Sequence, residues 1–432
     1  MNLKKKLEKL PKGVRELIKT ISACEKKNNF RVYLVGGIVR DLILGRANFD
    51  LDIVVEDDAI EFAKILSGFL GTDFKCHLNF KTATVLSIPF KIDLATSRRE
   101  VYKHWGALPF VEVSGLRDDL RRRDFTINAI ALSLAGGSFG DIVDYFGGIA
   151  DLNKGIIRIL HDKSFLDDPT RLFRAIRFKE RFGFRFDAFT SRCFRQAVSL
   201  KALEFVHIHR LRDELVLILQ EQKPGKYIKS LQRNIGLNLL GIQTKDRRLY
   251  ALLRRIEKVI PRLKGFFPGG CINEWLLYFM ALYRYTPLKK LQVFLPQFGL
   301  KKQDVLGILN SKKISVISGI SRRLDPSGIY RLLNPFRAET IIFFYAAASS
   351  SLARRNIEDY LLEYRKVELK IKGTDLKALG IYPETGFGKI LKKLLYKKIN
   401  GKMPDKEDEI EQAMRLHKRM ALASGNRVSK LV

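Results

Sequence analysis

Between Arg31 and Ser97, short apolar runs alternate with longer amphipathic ones. "RVYLVGG" (31–37) reads as a strand and "IVRDLILG" (38–45) as a helix. "FDLDIVVE" (49–56) reads as a second strand, and "DAIEFAKILSGFLG" (58–71) as an amphipathic helix with apolar residues at helical spacing. "KTATVLSIPFKIDLATS" (81–97) predicts a hairpin of two strands with Pro89 at its turn. Beyond about Asp162 strand signals nearly vanish. Segments such as "PTRLFRAIRFKERFG" (169–183) and "HRLRDELVLILQEQ" (209–222) repeat apolar residues with helical period. The pattern predicts an α/β head over 1–140 and a helical remainder. Joints at "QEQKPGK" (220–226) and "PFRAET" (335–340) divide that remainder into 141–225, 226–335 and 336–432. No internal repeat of fixed period is visible.

Composition changes this picture in one respect. The chain has 432 residues with 79 Lys and Arg against 46 Asp and Glu, a formal charge of +33. An excess of that size binds a polyanion, and nucleic acid is the first candidate. The basic residues are spread along the chain and not gathered on one amphipathic helix, which argues against a membrane surface. The most apolar window, "ETIIFFYAAASSSLA" (339–353), is too short and interrupted to span a bilayer, and "MNLKKKLEKLPKG" lacks the apolar core of a signal peptide. Cys24, Cys76, Cys193 and Cys271 are far apart, which fits reduced thiols and a cytoplasmic location. His207 and His209 stand two apart beside arginines, a spacing that fits a solvated or RNA-facing role better than zinc. The sequence leaves monomer and homodimer open.

Two carboxylates stand out against so basic a background. Side chains on a strand alternate faces, so Asp50 and Asp52 share one face while Phe49, Leu51 and Ile53 pack on the other. Two carboxylates on one face suit Mg2+, which takes hard oxygen ligands together with substrate phosphates. The pair Gly36–Gly37 ends a strand and opens a helix, where backbone N–H groups can meet a phosphate. Arg40, on the first turn of that helix, is placed for a second phosphate contact or for a salt bridge to Asp41. Asp93, on a neighbouring strand, is a candidate third carboxylate. A phosphate cradle running into a metal-binding strand describes a nucleoside triphosphate site.

These residues, "LVGGIVRDLILG…FDLDIVVED", resemble the head motif of nucleotidyltransferases related to DNA polymerase β. They are most similar to bacterial-type (class II) tRNA nucleotidyltransferases and bacterial poly(A) polymerases. Three later segments resemble further motifs of that family in order: "DLRRRDFTINAIAL" (119–132), "DYFGGIADLNKGIIRIL" (144–160) and "DDPTRLFRAIRF" (167–178). "GTDLKALGIYPETGFGKIL" (373–391) is like a segment of many members' tails. The resemblance implies an α+β fold: a polymerase-β-like head with a small mixed sheet, then an all-helical neck, body and tail. It implies roles at the sugar and phosphates of a nucleotide for Arg123, Asp124 and Asn128, with Asp124 better suited to orient an arginine than to bind metal. It also implies that the helix after Asp168 selects the base, with Arg174 and Arg177 further along it. Pro169 behind Asp168 is itself an N-terminal helix signal.

Asp168 and Arg171 lie three apart and so on one face; Arg174 continues the row and Arg177 rotates to the opposite side. Cytosine and adenine each offer an amino donor beside a ring-nitrogen acceptor, which a carboxylate and a guanidinium complement. Uracil and guanine offer a carbonyl to the carboxylate, leaving groups unpaired at a cost of about 1–3 kcal/mol. Where many members carry Glu-Asp before this helix, the chain has Asp167–Asp168, which shortens the reach of the first acid. "TSRREVYKHWGALPFVEVSG" (96–115) reads as a flexible loop, which in the family accompanies A addition. The expectation is therefore a Mg2+-dependent enzyme that adds CCA or its terminal A to tRNA from CTP and ATP. A poly(A) polymerase and a non-catalytic RNA-binding protein are the alternatives.

Overall fold

The computed structural model describes residues 1–87, 90–242, 247–267, 269, 272–381, 386–403 and 405–423. They form two compact units, one of residues 1–221 with 226–239 and one of 222–225 with 240–432. The chain passes between the units at 221/222, 225/226 and 239/240, so residues 226–239, expected in the second helical segment, belong with the first unit.

The first unit is built on a mixed sheet. Its strands are β1 (Val32–Val35), β2 (Leu51–Val55), β3 (Phe74–His77), β4 (Thr82–Ser87), β5 (Phe90–Thr96), β8 (Ala131–Ser133) and β9 (Ile142–Val143). A separate hairpin pairs β6 (Arg98–Val101) with β7 (Phe110–Val113). The order across the main sheet is β3-β4-β5-β2-β1-β8-β9. β2 and β5 run parallel, because the helix Ala59–Leu70 and the β3–β4 hairpin lie between them in the chain. All other pairs in this sheet are antiparallel.

The helix Ala59–Leu70 covers one face of the sheet, burying Phe62, Ala63 and Leu66 against a layer that includes Leu51, Ile53, Val85 and Leu94. Asp58 caps its N-terminus by accepting from the N–H groups of Ile60 and Glu61, and Gly71 closes it in the left-handed region. The other face is covered at one end only: Val35, Val54, Ala129 and Ala131 form a small core with Leu116 and Leu120 of the helix Leu116–Arg121. From Asp52 toward β3 that face is open. Phe49 does not join the packed layer; it is 37% exposed, because β2 begins only at Leu51 and the strand alternation does not extend back to it. Pro89, expected at the β4–β5 turn, lies outside the described residues.

The segment 96–115 is also not a flexible loop. It is the β6–β7 hairpin, with Arg98 opposite Val113 and Val101 opposite Phe110. Its tip is fastened to the helical part of the same unit. Gly106 donates from its N–H to the Leu166 carbonyl (3.3 Å), its own carbonyl accepts from Arg210 (2.9 Å), and Trp105 meets Phe205 edge to face.

The second unit is helical. The helix Arg247–Leu263 turns Leu249, Leu252, Leu253, Ile256 and Ile260 inward and keeps Arg254, Arg255 and Lys258 exposed. It packs on two helices that are buried nearly all round, Glu274–Leu282 and Ala338–Ala347. The latter is the apolar window of the sequence; among the described residues no helix is long and apolar enough to cross a membrane. A second core of Ile371, Leu376, Ile390 and Leu394 gathers the C-terminal helices. Lys312 closes the end of the Glu274–Leu282 helix by donating to the carbonyls of Tyr283, Arg284 and Thr286. Lys312→Met leaves those carbonyls without the ammonium and should cost about 1–3 kcal/mol. Urea unfolding followed on the second unit measures this, and an unchanged midpoint would discount the cap.

Candidate functional site

One cavity of about 890 Å3 in the first unit is lined by every residue the sequence offered for the carboxylate and nucleotide-binding roles, though not by Asp167, His207 or His209. It brings together the glycine turn, the strand carboxylates, the arginine-rich segment after Asp119 and the helix Arg171–Phe182.

Gly36 ends β1 with φ +73° and ψ −131°, a conformation closed to side-chain-bearing residues, and the helix Gly37–Leu44 begins at the next residue. A Cβ at Gly36 would stand 3.2 Å from Arg123 Nη1 and 3.8 Å from Asp52 Oδ2; one at Gly37 would stand 3.2 Å from Asn48 Nδ2. The turn is glycine because these side chains close on the backbone there. Asp52 lies directly opposite Asp93 across the parallel β2–β5 pair. Asp52 is solvent-exposed on the floor of the cavity. Partial desolvation of its carboxyl by the neighbouring protein still raises its pKa above the usual carboxylate range; Arg123 opposes the rise, and Asp93 and Asp50 add to it. Asp93 accepts from Thr84 Oγ1 (2.7 Å) and Lys91 Nζ (2.8 Å). Asp50 is exposed and lies one residue before β2, so of the two carboxylates only Asp52 is placed by the strand itself. Among the described residues no three His, Cys, Asp or Glu side chains are grouped as a metal site. The hard oxygens of Asp50, Asp52 and Asp93, lining one cavity, fit a cation that completes its shell with water and phosphate.

The guanidinium groups around this floor are held, not loose. Arg40 is 3% exposed and forms a two-pronged pair with Asp41 (2.9 and 2.8 Å), so the salt bridge coexists with its place at the cavity. Its third bond, from Nη1, goes to Asn128 Oδ1 (2.6 Å), and it lies over the rings of Phe178 and Phe182. Asn128 donates in turn to Asp124 Oδ1 (2.8 Å), so its amide bridges two charged groups and retains one hydrogen and one lone pair for a ligand. Asp124 takes Arg174 at 2.9 and 2.6 Å through its other oxygen. Burial disfavours the Asp124 anion, yet Arg174 and Asn128 outweigh it and hold its carboxyl below the usual range. Arg123 is held by Asp119 (3.0 Å), itself fully buried and kept ionised by Arg123 and Arg122 against the cost of burial. The Nε of Arg123 is buried without a partner.

Asp168 and Arg171 do not lie on one straight helical face. The helix begins at Arg171, and Asp168 turns ahead of it, Oδ1 accepting from the N–H and hydroxyl of Thr170 (3.1 and 2.6 Å). Arg210 Nη2 reaches the same oxygen (2.8 Å). Oδ2 is left with Arg171 Nε at 4.0 Å. Arg171 is anchored by Ser164 Oγ (2.7 Å) and the Arg122 carbonyl (2.6 Å). Arg177 does not point away from the cavity but lines it. The rotation counted from Asp168 fails because the helix starts three residues later, and Glu214 draws Arg174 and Arg177 to one side at 3.3 and 3.7 Å.

Several residues that line the cavity or brace its lining went unread in the sequence. Glu100 and Tyr102 come from the β6–β7 hairpin, Glu100 accepting from Arg122 Nη1 (2.8 Å) and Tyr102 OH (2.7 Å). Arg210 and Glu214 sit four apart on the helix Ile208–Leu219, a spacing that sequence reads as an ordinary surface ion pair. Their joint orientation toward Asp168 and Arg174 was the missed signal.

Residues 32–158 match the family described as the poly(A) polymerase head domain. The chain is 35% identical over 427 residues to an A-adding tRNA nucleotidyltransferase of Geobacter sulfurreducens, covering 94% of this chain and 47% of that one. It is 32% identical over 403 residues to an A-adding tRNA nucleotidyltransferase of Halalkalibacterium halodurans, covering 92% and 91% respectively. A Thermotoga maritima CCA-adding enzyme complexed with tRNA is similar in structure with a TM-score of 0.70 and 32% identity, over 96% of this chain and 98% of that one. The chain thus spans about half the length of the Geobacter relative (47%) and nearly all of the Halalkalibacterium one (91%).

Gly36→Ala should destabilise the first unit by about 1–3 kcal/mol through backbone strain. It should also displace Arg123 from the carboxylate floor. Thermal unfolding of the full chain checks the first effect, and a wild-type midpoint would contradict the strained turn.

Proposed function

The chain belongs to the family of tRNA nucleotidyltransferases, and from that premise we propose that it extends the 3′ end of tRNA from ATP or CTP without a nucleic-acid template. The observation that carries this reading is the single cavity holding the glycine turn, the carboxylates and the Asp168–Arg171 pair together. Its products are pyrophosphate and an RNA longer by one nucleotide per turn. We read the activity as addition of CCA or of its terminal A, in a cytoplasmic setting where tRNA matures. The ordered β6–β7 hairpin and the A-adding names of the two relatives favour the terminal A.

Asp50 and Asp52, with Asp93 beside them, would hold Mg2+. When bound there it neutralises phosphate charge and favours ionisation of the attacking 3′ hydroxyl. The chain's own residues supply the rest. The backbone at Gly36–Gly37 and the start of its helix receive the triphosphate, with Arg123 across the turn and Arg40 fixed beneath it. Asp124 holds Arg174 in place at the sugar side of the cavity. Oδ2 of Asp168 accepts the amino proton of C or A, and Arg171, locked by Ser164 and the Arg122 carbonyl, donates to the ring nitrogen. The +33 charge holds the tRNA backbone, much of it through the helical second unit.

Changing both Asp50 and Asp52 to Ala should abolish nucleotide incorporation while tRNA binding persists, since phosphate contacts lie elsewhere. Extension of a tRNA lacking its 3′ end, with CTP, ATP or both and the products sequenced, is the deciding assay. Normal turnover in the double variant would sink the metal assignment, and long A tracts on the wild-type product would favour a poly(A) polymerase instead.

Asp168→Asn is the sharper test of base selection. The amide oxygen can keep Thr170 and Arg210 while the NH2 group replaces Oδ2, turning an acceptor into a donor. Incorporation should shift from C and A toward U and G by roughly tenfold or more, the scale of one mismatched buried hydrogen bond. Preserved C/A preference at a preserved rate would remove Asp168 from the reading surface.

A further inference from the structure

The carboxylate floor borders a second cavity, of about 470 Å3. It shares Asp52, Asp93 and Arg123 with the first; the rest of its lining comes from β1, β2 and β5 together with His77 of β3 and Thr82, Ala83 and Thr84 of β4. Sheet register builds its floor. Lys75 lies opposite Thr84, Thr84 opposite Asp93, and Asp93 opposite Asp52, a continuous row across four strands. The next row runs His77, Thr82, Ala95, Val54. Neighbouring residues in such a row point to the same face, and among the described residues no helix packs on this face from Asp52 to β3. Lys75 and His77 are exposed, and Phe80, at the connection from β3 to β4, is 44% exposed.

Transfer to a hydroxyl requires attacking and leaving oxygens in line across the phosphorus. The two substrates therefore approach the carboxylates from different sides. The larger cavity carries the base-reading residues and the glycine turn, which leaves the β3–β5 side for the attacking strand.

We propose that this open sheet face is the acceptor subsite and takes the 3′-terminal nucleotides of the RNA as a single strand; this rests on the nucleotidyl-transfer reading above. The Lys75 ammonium meets a phosphate, His77 and Phe80 offer ring faces on which bases stack, and the Thr82 hydroxyl bonds the ribose or phosphate. Thr84 is a positioning residue. Its hydroxyl holds Asp93 Oδ1 at 2.7 Å, in the row that runs from Lys75 to Asp52.

Lys75→Glu and His77→Ala, both at exposed positions, should each raise the KM for tRNA lacking its 3′ end about tenfold, with the KM for CTP and ATP unchanged. Unchanged KM for tRNA in these active variants would overturn the subsite. If the wild type fails to extend tRNA at all, the proposed function falls, and a second measurement still decides the subsite. In the full chain carrying Asp50→Ala and Asp52→Ala, a tRNA ending in 4-thiouridine is photo-cross-linked and the attached peptide identified. Attachment within 75–84 supports the subsite; attachment confined to the Asp168–Phe182 segment overturns it.

Discussion

The first unit depends on the parallel pairing of β2 with β5. This one ladder sets Asp52 beside Asp93 although their charges repel. Parallel neighbours need a long crossover, and the chain uses its length for the helix Ala59–Leu70 and the β3–β4 hairpin. The helix seals the apolar face of the sheet. The hairpin widens the polar face beyond the carboxylates. A register slip of one residue would turn Asp52 into the helix layer and Ile53 into the cavity, so the apolar contacts of Leu51, Ile53, Val85 and Leu94 fix the chemistry on the opposite side.

Around that floor the arginines are organised by acids that hold one side of each guanidinium. Asp41 takes Arg40, Asp119 takes Arg122 and Arg123, and Asp124 with Glu214 takes Arg174. Buried pairs of this kind contribute little net stability after desolvation. What they provide is position: a flexible side chain becomes a fixed donor. The cavity thus keeps several guanidinium groups in fixed positions without a ligand, as the polyphosphate proposed for it would require.

Much of this was legible in the sequence, for identifiable reasons. The head strands and helices have clean periods of 2.0 and 3.6, and the glycine pair and the DxD stretch name their own chemistry. The β6–β7 hairpin was not legible: Val101, Phe110 and Val113 are largely exposed, so its strands lack the buried stripe that marks a strand. The turn of Arg177 into the cavity escaped for a different reason. It follows from where the helix begins, and Asp168 and Thr170 set that start through a side-chain turn that no periodicity records. Arg210 and Glu214 were invisible because their partners lie 42 and 40 residues away in the chain. Sequence spacing finds neighbours on one helix and is silent about the next one.

The division of labour within the Asp168 carboxylate has an evolutionary consequence. One oxygen is tied to Thr170 and Arg210, and only the other is free to face a ligand. On the base-selection reading proposed above, the choice of letter would rest on a single atom whose direction is dictated from outside the base contact. On that same reading, positions 170 and 210 would let a lineage move toward a looser or stricter alphabet while Asp168 itself stays the same. A search for altered specificity among related chains that compared only the base-facing pair would overlook where that specificity is kept.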